Sequence, residues 1–123
     1  MMNLNKVMLI GNVGRIEVKQ FNDGKLVNAS LAVSEKYTSR DGSRVENTTW
    51  FEIVINGKLA DIAGQYIGKG DRLYVEGRMR QRKYLASDGT ERTAWEVVAR
   101  DIIMLSERKV EAPADDDLPA DFM

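Results

Sequence analysis

The chain contains no cysteine and no histidine. The first absence rules out a disulfide scaffold and any thiolate metal site, and it suits a reducing, cytoplasmic setting. The second removes the commonest general base and the commonest metal ligand. Proline occurs only twice, both times near the C-terminal end, at Pro113 and Pro119. No apolar run approaches the ~18 residues that a membrane-spanning helix needs. The opening MMNLNKVMLI has a short apolar stretch and no small-residue cleavage pattern, so neither a signal peptide nor a membrane partner is expected. There is no P-loop, no G-x-S-x-G and no EF-hand loop, and GNVG after the first apolar run lacks the spacing of a dinucleotide fingerprint. Carboxylates are plentiful but form no spaced pair with a plausible partner. No catalytic residue, metal site or cofactor is therefore expected.

What the chain does have is 123 residues, 43% of them apolar, enough for one packed domain and a tail. Its net charge of -1 hides an asymmetry. Glu111, Asp115, Asp116, Asp117 and Asp121 lie beyond residue 109 with no lysine or arginine among them. Setting those five aside leaves 14 acidic against 18 basic groups, so residues 1–109 carry +4. A basic body suits a polyanionic partner.

Along the chain, NKVMLIGNV reads as a strand, and EVKQF as its continuation after a break near Gly14. LVNASLAVSEKY, ENTTWFEIVIN, DRLYVEGRMRQRKYLA and RTAWEVVARDIIML read as four more strands. Their turns are the Asp-Gly sequences NDGK, SRDGSR and SDGTE. Gly77 marks a bend or bulge. Between the third and fourth strands, Leu59, Ile62, Ala63, Tyr66 and Ile67 recur at helical spacing, closed by Gly68 and Gly70. The order β-β-β-α-β-β predicts an all-β fold, a five-stranded Greek-key barrel of the OB type with one short helix between strands 3 and 4. The domain is expected over residues 1–106. Residues 107–123 carry both prolines and the acidic block and read as a disordered tail.

Four features bear on function. In GRMRQRKY, strand alternation places Arg78, Arg80, Arg82 and Tyr84 on one face. A solvated face that discourages edge pairing is one reading. The other is a binding rail, since planar guanidiniums suit phosphates and stack on bases, and Lys83 and Arg72 lie close in sequence. In TTWFEIVING, Phe51, Ile53 and Ile55 form a core set, and Trp50, Glu52, Val54 and Asn56 fall opposite. A tryptophan among polar neighbours either covers a loop or subunit contact or stacks on a base. Tyr37 precedes a hairpin loop with Arg40 and Arg44, either an ordinary polar loop or a clamp. Trp95 shares parity with Val97 and Ala99 and is expected in the core or at an interface; Tyr66 and Tyr74 read as structural. The tail DDDLPADFM is either solubilising or a peptide ligand, its acids for a basic groove and Leu118 and Phe122 for pockets.

The segments NKVMLIGNVG, TTWFEIVINGKLADIAGQYIGKGDRLYVEGRMRQRKY and WEVVARDIIML together resemble the bacterial single-stranded DNA-binding protein (SSB) family, over about residues 4–106. The resemblance implies an OB-fold homotetramer in the cytoplasm, associated with the nucleoid. It implies sequence-independent binding and protection of single-stranded DNA in replication, recombination and repair. It places base-stacking aromatics at Tyr37, Trp50 and Tyr84 and basic contacts at Lys6, Lys58, Arg80, Arg82 and Lys83. It also makes Asp115, Asp116, Asp117, Leu118, Pro119 and Phe122 a docking tail for replication and repair proteins. The chain departs from the family at Asn56, which stands at a position that is often aromatic, and at Phe122, which is penultimate to Met123. Two rivals remain on the residues alone: a primosome-type OB adaptor working mainly through protein contacts, and a metal-dependent nuclease.

Overall fold

The computed structural model describes residues 2–106; the acidic segment, with Asp115, Asp116, Asp117, Leu118, Pro119 and Phe122, lies outside the described residues. Five strands and one helix follow in the expected order. They are β1 (Val7–Phe21), β2 (Gly24–Thr38), β3 (Arg44–Asn56), α1 (Gly57–Tyr66), β4 (Arg72–Leu85) and β5 (Glu91–Met104). The strands close a barrel in the order β1-β2-β3-β5-β4. All neighbours are antiparallel except β3 and β5, which run parallel and meet only at Ile53–Val97 and Val54–Val98. Past that contact β3 and β5 separate, and the β2–β3 and β4–β5 hairpins continue as two arms.

Each Asp-Gly turn is where the composition places it. Gly42 and Gly89 take φ of 87° and 85°, the left-handed region that glycine enters without a Cβ clash. In the first of these loops the Asp41 carboxylate accepts from the Ser39 and Ser43 hydroxyls and from the Ser43 amide at 3.0 Å. Those bonds, Ser39's foremost, hold its pKa far below the ordinary carboxylate range.

Alternation fills the barrel. Val27, Ala29 and Leu31 of β2, Ile53 and Ile55 of β3, Leu73 and Val75 of β4, and Val97 of β5 form the core with Val13. The helix adds Ala60 and Ala63, with Leu59 partly buried, and Ile67 follows it into the core. Ile62 and Tyr66 point away from this packed side and stay exposed, so only part of the helical apolar pattern is core.

The break expected near Gly14 is a register shift between Val13 and Arg15 inside one continuous strand. A second shift lies opposite Glu76 and Gly77, where Arg100 of β5 is the extra residue, so Gly77 faces a bulge carried by its partner strand. Bulges bend long strands so that the sheet can close. At Gly77 a Cβ would lie 2.1 Å from the Val98 carbonyl oxygen. Gly77→Ala is therefore expected to cost about 1–3 kcal/mol, the range for overpacking a tight interior. Thermal unfolding checks this; an unchanged melting temperature would mean that the bulge has slack.

Trp95 keeps the parity of Val97 but lies outside the core, 60% exposed. Its partner across the ladder is Gln81, on the arm beyond the closed barrel, where among the described residues no third strand pairs with β4 or β5. Among the described residues no helix is long and apolar enough to cross a membrane.

Candidate nucleic-acid interface

The outer surface of β3, β5 and β4 forms a groove of about 420 Å³, lined among others by Glu52, Val54, Asn56, Arg80, Arg82 and Glu96, with Lys19 at its edge. The core face of β3 is Phe51, Ile53 and Ile55, so Trp50, Glu52, Val54 and Asn56 face outward, as alternation requires. On β4 the core residues Leu73 and Val75 fix the opposite parity, and Arg78, Arg80, Arg82 and Tyr84 face outward together.

Trp50 stands two residues before Glu52 on this outer face and is 59% exposed. Its ring lies over Gly14 of β1. A Cβ at Gly14 would come within 2.4 Å of Trp50 Cζ3 and 2.7 Å of Cη2. The missing side chain is what lets the indole approach the β1 backbone. Beside it, Arg15 Nη2 donates to both Glu52 carboxylate oxygens, at 3.2 and 3.3 Å.

Across β5, the arginines share one carboxylate. Glu96 is 3% exposed. Its Oε2 accepts from Arg80 Nε at 3.0 Å and from Arg80 Nη2; its Oε1 accepts from Arg82 Nε at 2.9 Å. Burial pushes the Glu96 pKa upward, but the hydrogen bonds and charges of Arg80 and Arg82 together outweigh it. The carboxyl ends below its ordinary value and is ionised at neutral pH. The Arg82 guanidinium also sits 5.4 Å from the centroid of the Tyr84 ring, a cation–π distance.

The remaining expected residues are spread around this centre. Lys58 opens α1 and lines a neighbouring pocket with Lys25 and Asp61; Leu26 and Asn56 belong to both pocket and groove. Lys6 lies at the other end of the β4 row, in a depression with Arg78 and Arg100, paired with Glu76 at 3.6 Å. The segment carrying it is pinned to β4 by Asn5, which donates to the Met79 carbonyl at 2.7 Å and accepts from its amide at 2.9 Å. Lys83 has the parity of Met79, so it falls on the opposite face from Arg82 and Tyr84. Tyr37 pairs with Val45 and has the parity of Leu31, opposite that of Trp50; it lines a small pocket with Lys36, Thr38 and Arg44. The groove holds Arg80 and Arg82, and Trp50 and Tyr84 lie along the same outer face, beyond its lining. Lys6 and Lys58 flank it, and Tyr37 and Lys83 lie on the reverse sides of the two arms.

Read strand by strand, the sequence gives no reason to single out Glu96 or Arg15, and it marks Gly14 only as a break in β1, not as the seat of Trp50. A signal existed for the first: a hairpin turning at Asp88-Gly89 with Leu85 opposite Glu91 puts Arg80 opposite Glu96. Among the described residues no three carboxylates gather in a metal-binding cluster.

Comparison with known proteins finds chains similar to this one over most of the described residues. The model of the "Single-strand binding protein family" matches residues 4–105. A single-stranded DNA-binding protein of Neisseria meningitidis serogroup A is 50% identical over 109 residues, covering 87% of this chain and 63% of that protein. One from Xanthomonas axonopodis pv. citri is 38% identical over 107 residues, covering 85% of this chain and 59% of that protein. The chain thus spans about three-fifths of the length of these relatives. Among solved structures, a Plasmodium falciparum SSB in complex with single-stranded DNA superposes with a TM-score of 0.77 at 32% identity, covering 86% of this chain and 98% of that one.

Proposed function

The chain belongs to the single-strand binding protein family, and from that premise we propose that its outer groove holds single-stranded DNA without reading its sequence. The observation that carries this reading is one exposed face bearing both an accessible indole and a paired-arginine rail. Trp50 takes a base face, its position set by Gly14. Tyr84, with Arg82 on one side of its ring, takes another base on the other side. Arg80 and Arg82 meet phosphates, and Lys6 and Lys58 continue the track at either end. Asn56, at the groove's end, offers hydrogen bonds but no aromatic surface. Tyr37 and Lys83 join where the strand passes around an arm. The protein acts by occupancy: it keeps unpaired DNA from re-pairing and from degradation during replication, recombination and repair, as a cytoplasmic, nucleoid-associated homotetramer. Asp115, Asp116, Asp117, Leu118, Pro119 and Phe122 serve as a docking segment for other proteins of those processes.

The charge of the groove sets an expectation for salt. Glu52 and Glu96 offset most of the charge of Arg15, Arg80 and Arg82, so stacking carries a large share of the affinity. Tryptophan fluorescence is titrated with oligo-dT and with duplex DNA at low and moderate salt. We expect strong quenching by the single strand that persists at moderate salt. Pure phosphate attraction fades steeply with salt and does not favour the single strand; that outcome would overturn the reading.

A further inference from the structure

We infer that Glu96 is a positioning residue for the groove: its buried carboxylate holds the guanidiniums of Arg80 and Arg82 in the orientation that receives the nucleic acid. This rests on the reading of the groove as a single-strand site.

Glu96 sits on the outer face of β5, opposite Arg80 in the ladder, where a side chain would ordinarily meet water. Instead it is nearly inaccessible, with the buried Val98 two residues along its strand and the buried Val54 on the adjacent one. A carboxylate on such an apolar floor is tolerated only when its oxygens are satisfied. Here each oxygen serves one arginine: Oε2 accepts from Arg80, Oε1 from Arg82 at 2.9 Å. These bonds use the Nε atom of each guanidinium, and from Arg82 they take neither Nη group. The same contact sets Arg82 against the Tyr84 ring at 5.4 Å. One carboxylate therefore orders two long side chains and, through one of them, an aromatic platform. Arginine carries much rotamer freedom, and ordering it before binding removes that cost from the binding step.

Counting charges alone leads to the opposite expectation. Two arginines with Glu96 present one net positive charge; without its charge they present two. If Glu96 merely dilutes the positive field, Glu96→Gln must bind a polyanion more tightly. If it positions the arginines, Glu96→Gln must bind more weakly despite the added charge, because the amide accepts through one oxygen only and without ionic assistance.

The test titrates the wild-type chain, Glu96→Gln and Trp50→Ala with oligo-dT across a salt series, after thermal melting shows each to be folded. We expect Glu96→Gln to lose about tenfold in affinity at moderate salt, the equivalent of one charge-assisted contact, with a salt slope at least as steep as wild type. Unchanged or tighter binding by Glu96→Gln overturns the inference. If Glu96→Gln does not fold, the wild-type protein still decides the matter. The ¹⁵N-resolved Nε–H signals of Arg80 and Arg82 are expected to be protected from exchange and to remain so at saturating oligo-dT. Loss of that protection on adding oligo-dT means that DNA pulls the arginines off Glu96, which also overturns it. Trp50→Ala separates the two levels. Failure of Trp50→Ala to weaken binding, or of wild type to bind, removes the groove reading and the inference with it. Weakening by Trp50→Ala without weakening by Glu96→Gln removes the inference alone.

Discussion

Trp50→Ala is expected to weaken oligo-dT binding by about 1–3 kcal/mol, roughly 5- to 150-fold, while Trp95→Ala leaves it within about twofold. The magnitude is the general one for base–aromatic stacking in single-strand-binding proteins, this family among them; the geometry here supplies the contrast between the two residues. Both indoles are about equally exposed, at 59% and 60%, so exposure does not separate them. What does is the face. Trp50 is on the outer side of β3, with Glu52 and Asn56 of the groove following it at alternate positions. Trp95 has core parity and projects from the inner side of the β4–β5 arm, opposite Gln81. Since the chain has two tryptophans, each variant leaves a single reporter. Trp95→Ala should retain quenching by oligo-dT, and Trp50→Ala should lose most of it. Equal losses, or a greater loss from Trp95→Ala, would overturn the assignment of faces, provided that both variants melt like wild type. Gly14→Ala gives an independent check on the same contact. Its methyl group would fall 2.4 Å from Cζ3, so the indole must shift. An intermediate loss of binding with Trp50 itself intact is the expected result.

Period-two alternation explains why the groove was partly legible in the sequence. On β3 it separates Phe51, Ile53 and Ile55 from Trp50, Glu52, Val54 and Asn56, and the barrel keeps that separation. On β4 it collects Arg78, Arg80, Arg82 and Tyr84, and the bulge opposite Gly77 has its extra residue on β5, at Arg100, so it does not scramble the row. Three Asp-Gly turns were enough to order the hairpins, because residues at positive φ select glycine for a steric reason that needs no tertiary context.

Alternation failed where face no longer implies environment. Trp95 is in phase with the core, which leaves core or interface open; its strand outruns the barrel, which removes the core alternative, and strand length against barrel height is a property of closure that a single strand does not encode. Tyr37 and Trp50 each read as stacking candidates, yet the uninterrupted β2–β3 register sets them on opposite faces. Glu96 was hidden for the converse reason. An acid at an outward position looks like a solvated one, and only the register of two hairpin strands brings Arg80 and Arg82 over it. Arg80 and Arg82, read either as a solvated face or as a binding rail, are in the folded chain already engaged from beneath.

That engagement predicts a reversal of pH dependence when the arginines are removed. In the wild type the Glu96 pKa lies below its ordinary value of 4.5. A carboxyl lowered by folding contributes stability that is fully present above its unfolded value and is lost as pH falls through its folded one. Wild-type stability should therefore rise from strongly acidic pH toward 4.5 on account of this group. In Arg80→Ala/Arg82→Ala the lowering partners are gone, and where the floor of Val54 and Val98 still keeps water off the carboxyl, the Glu96 pKa moves above its ordinary value. The sign inverts: the variant loses stability as pH rises from about 4.5 toward neutrality, where the carboxyl must ionise without a partner. Glu76 and Asp88 are also lowered by their own hydrogen bonds, to Tyr74 and Thr90 first, but both proteins share those groups. The difference between the two proteins isolates Glu96. Urea unfolding at a series of pH values should show a gap that is small near pH 4 and widens toward pH 7. At neutrality it should reach the lower end of the about 3–5 kcal/mol that breaking a buried pair costs, because the arginine ends of this one reach water. A gap that does not change with pH would mean that Glu96 finds water or another partner once the arginines are removed. The carboxylate would then be a passenger beneath the groove, and the order of the arginine pair would have to come from Tyr84 and the strand alone.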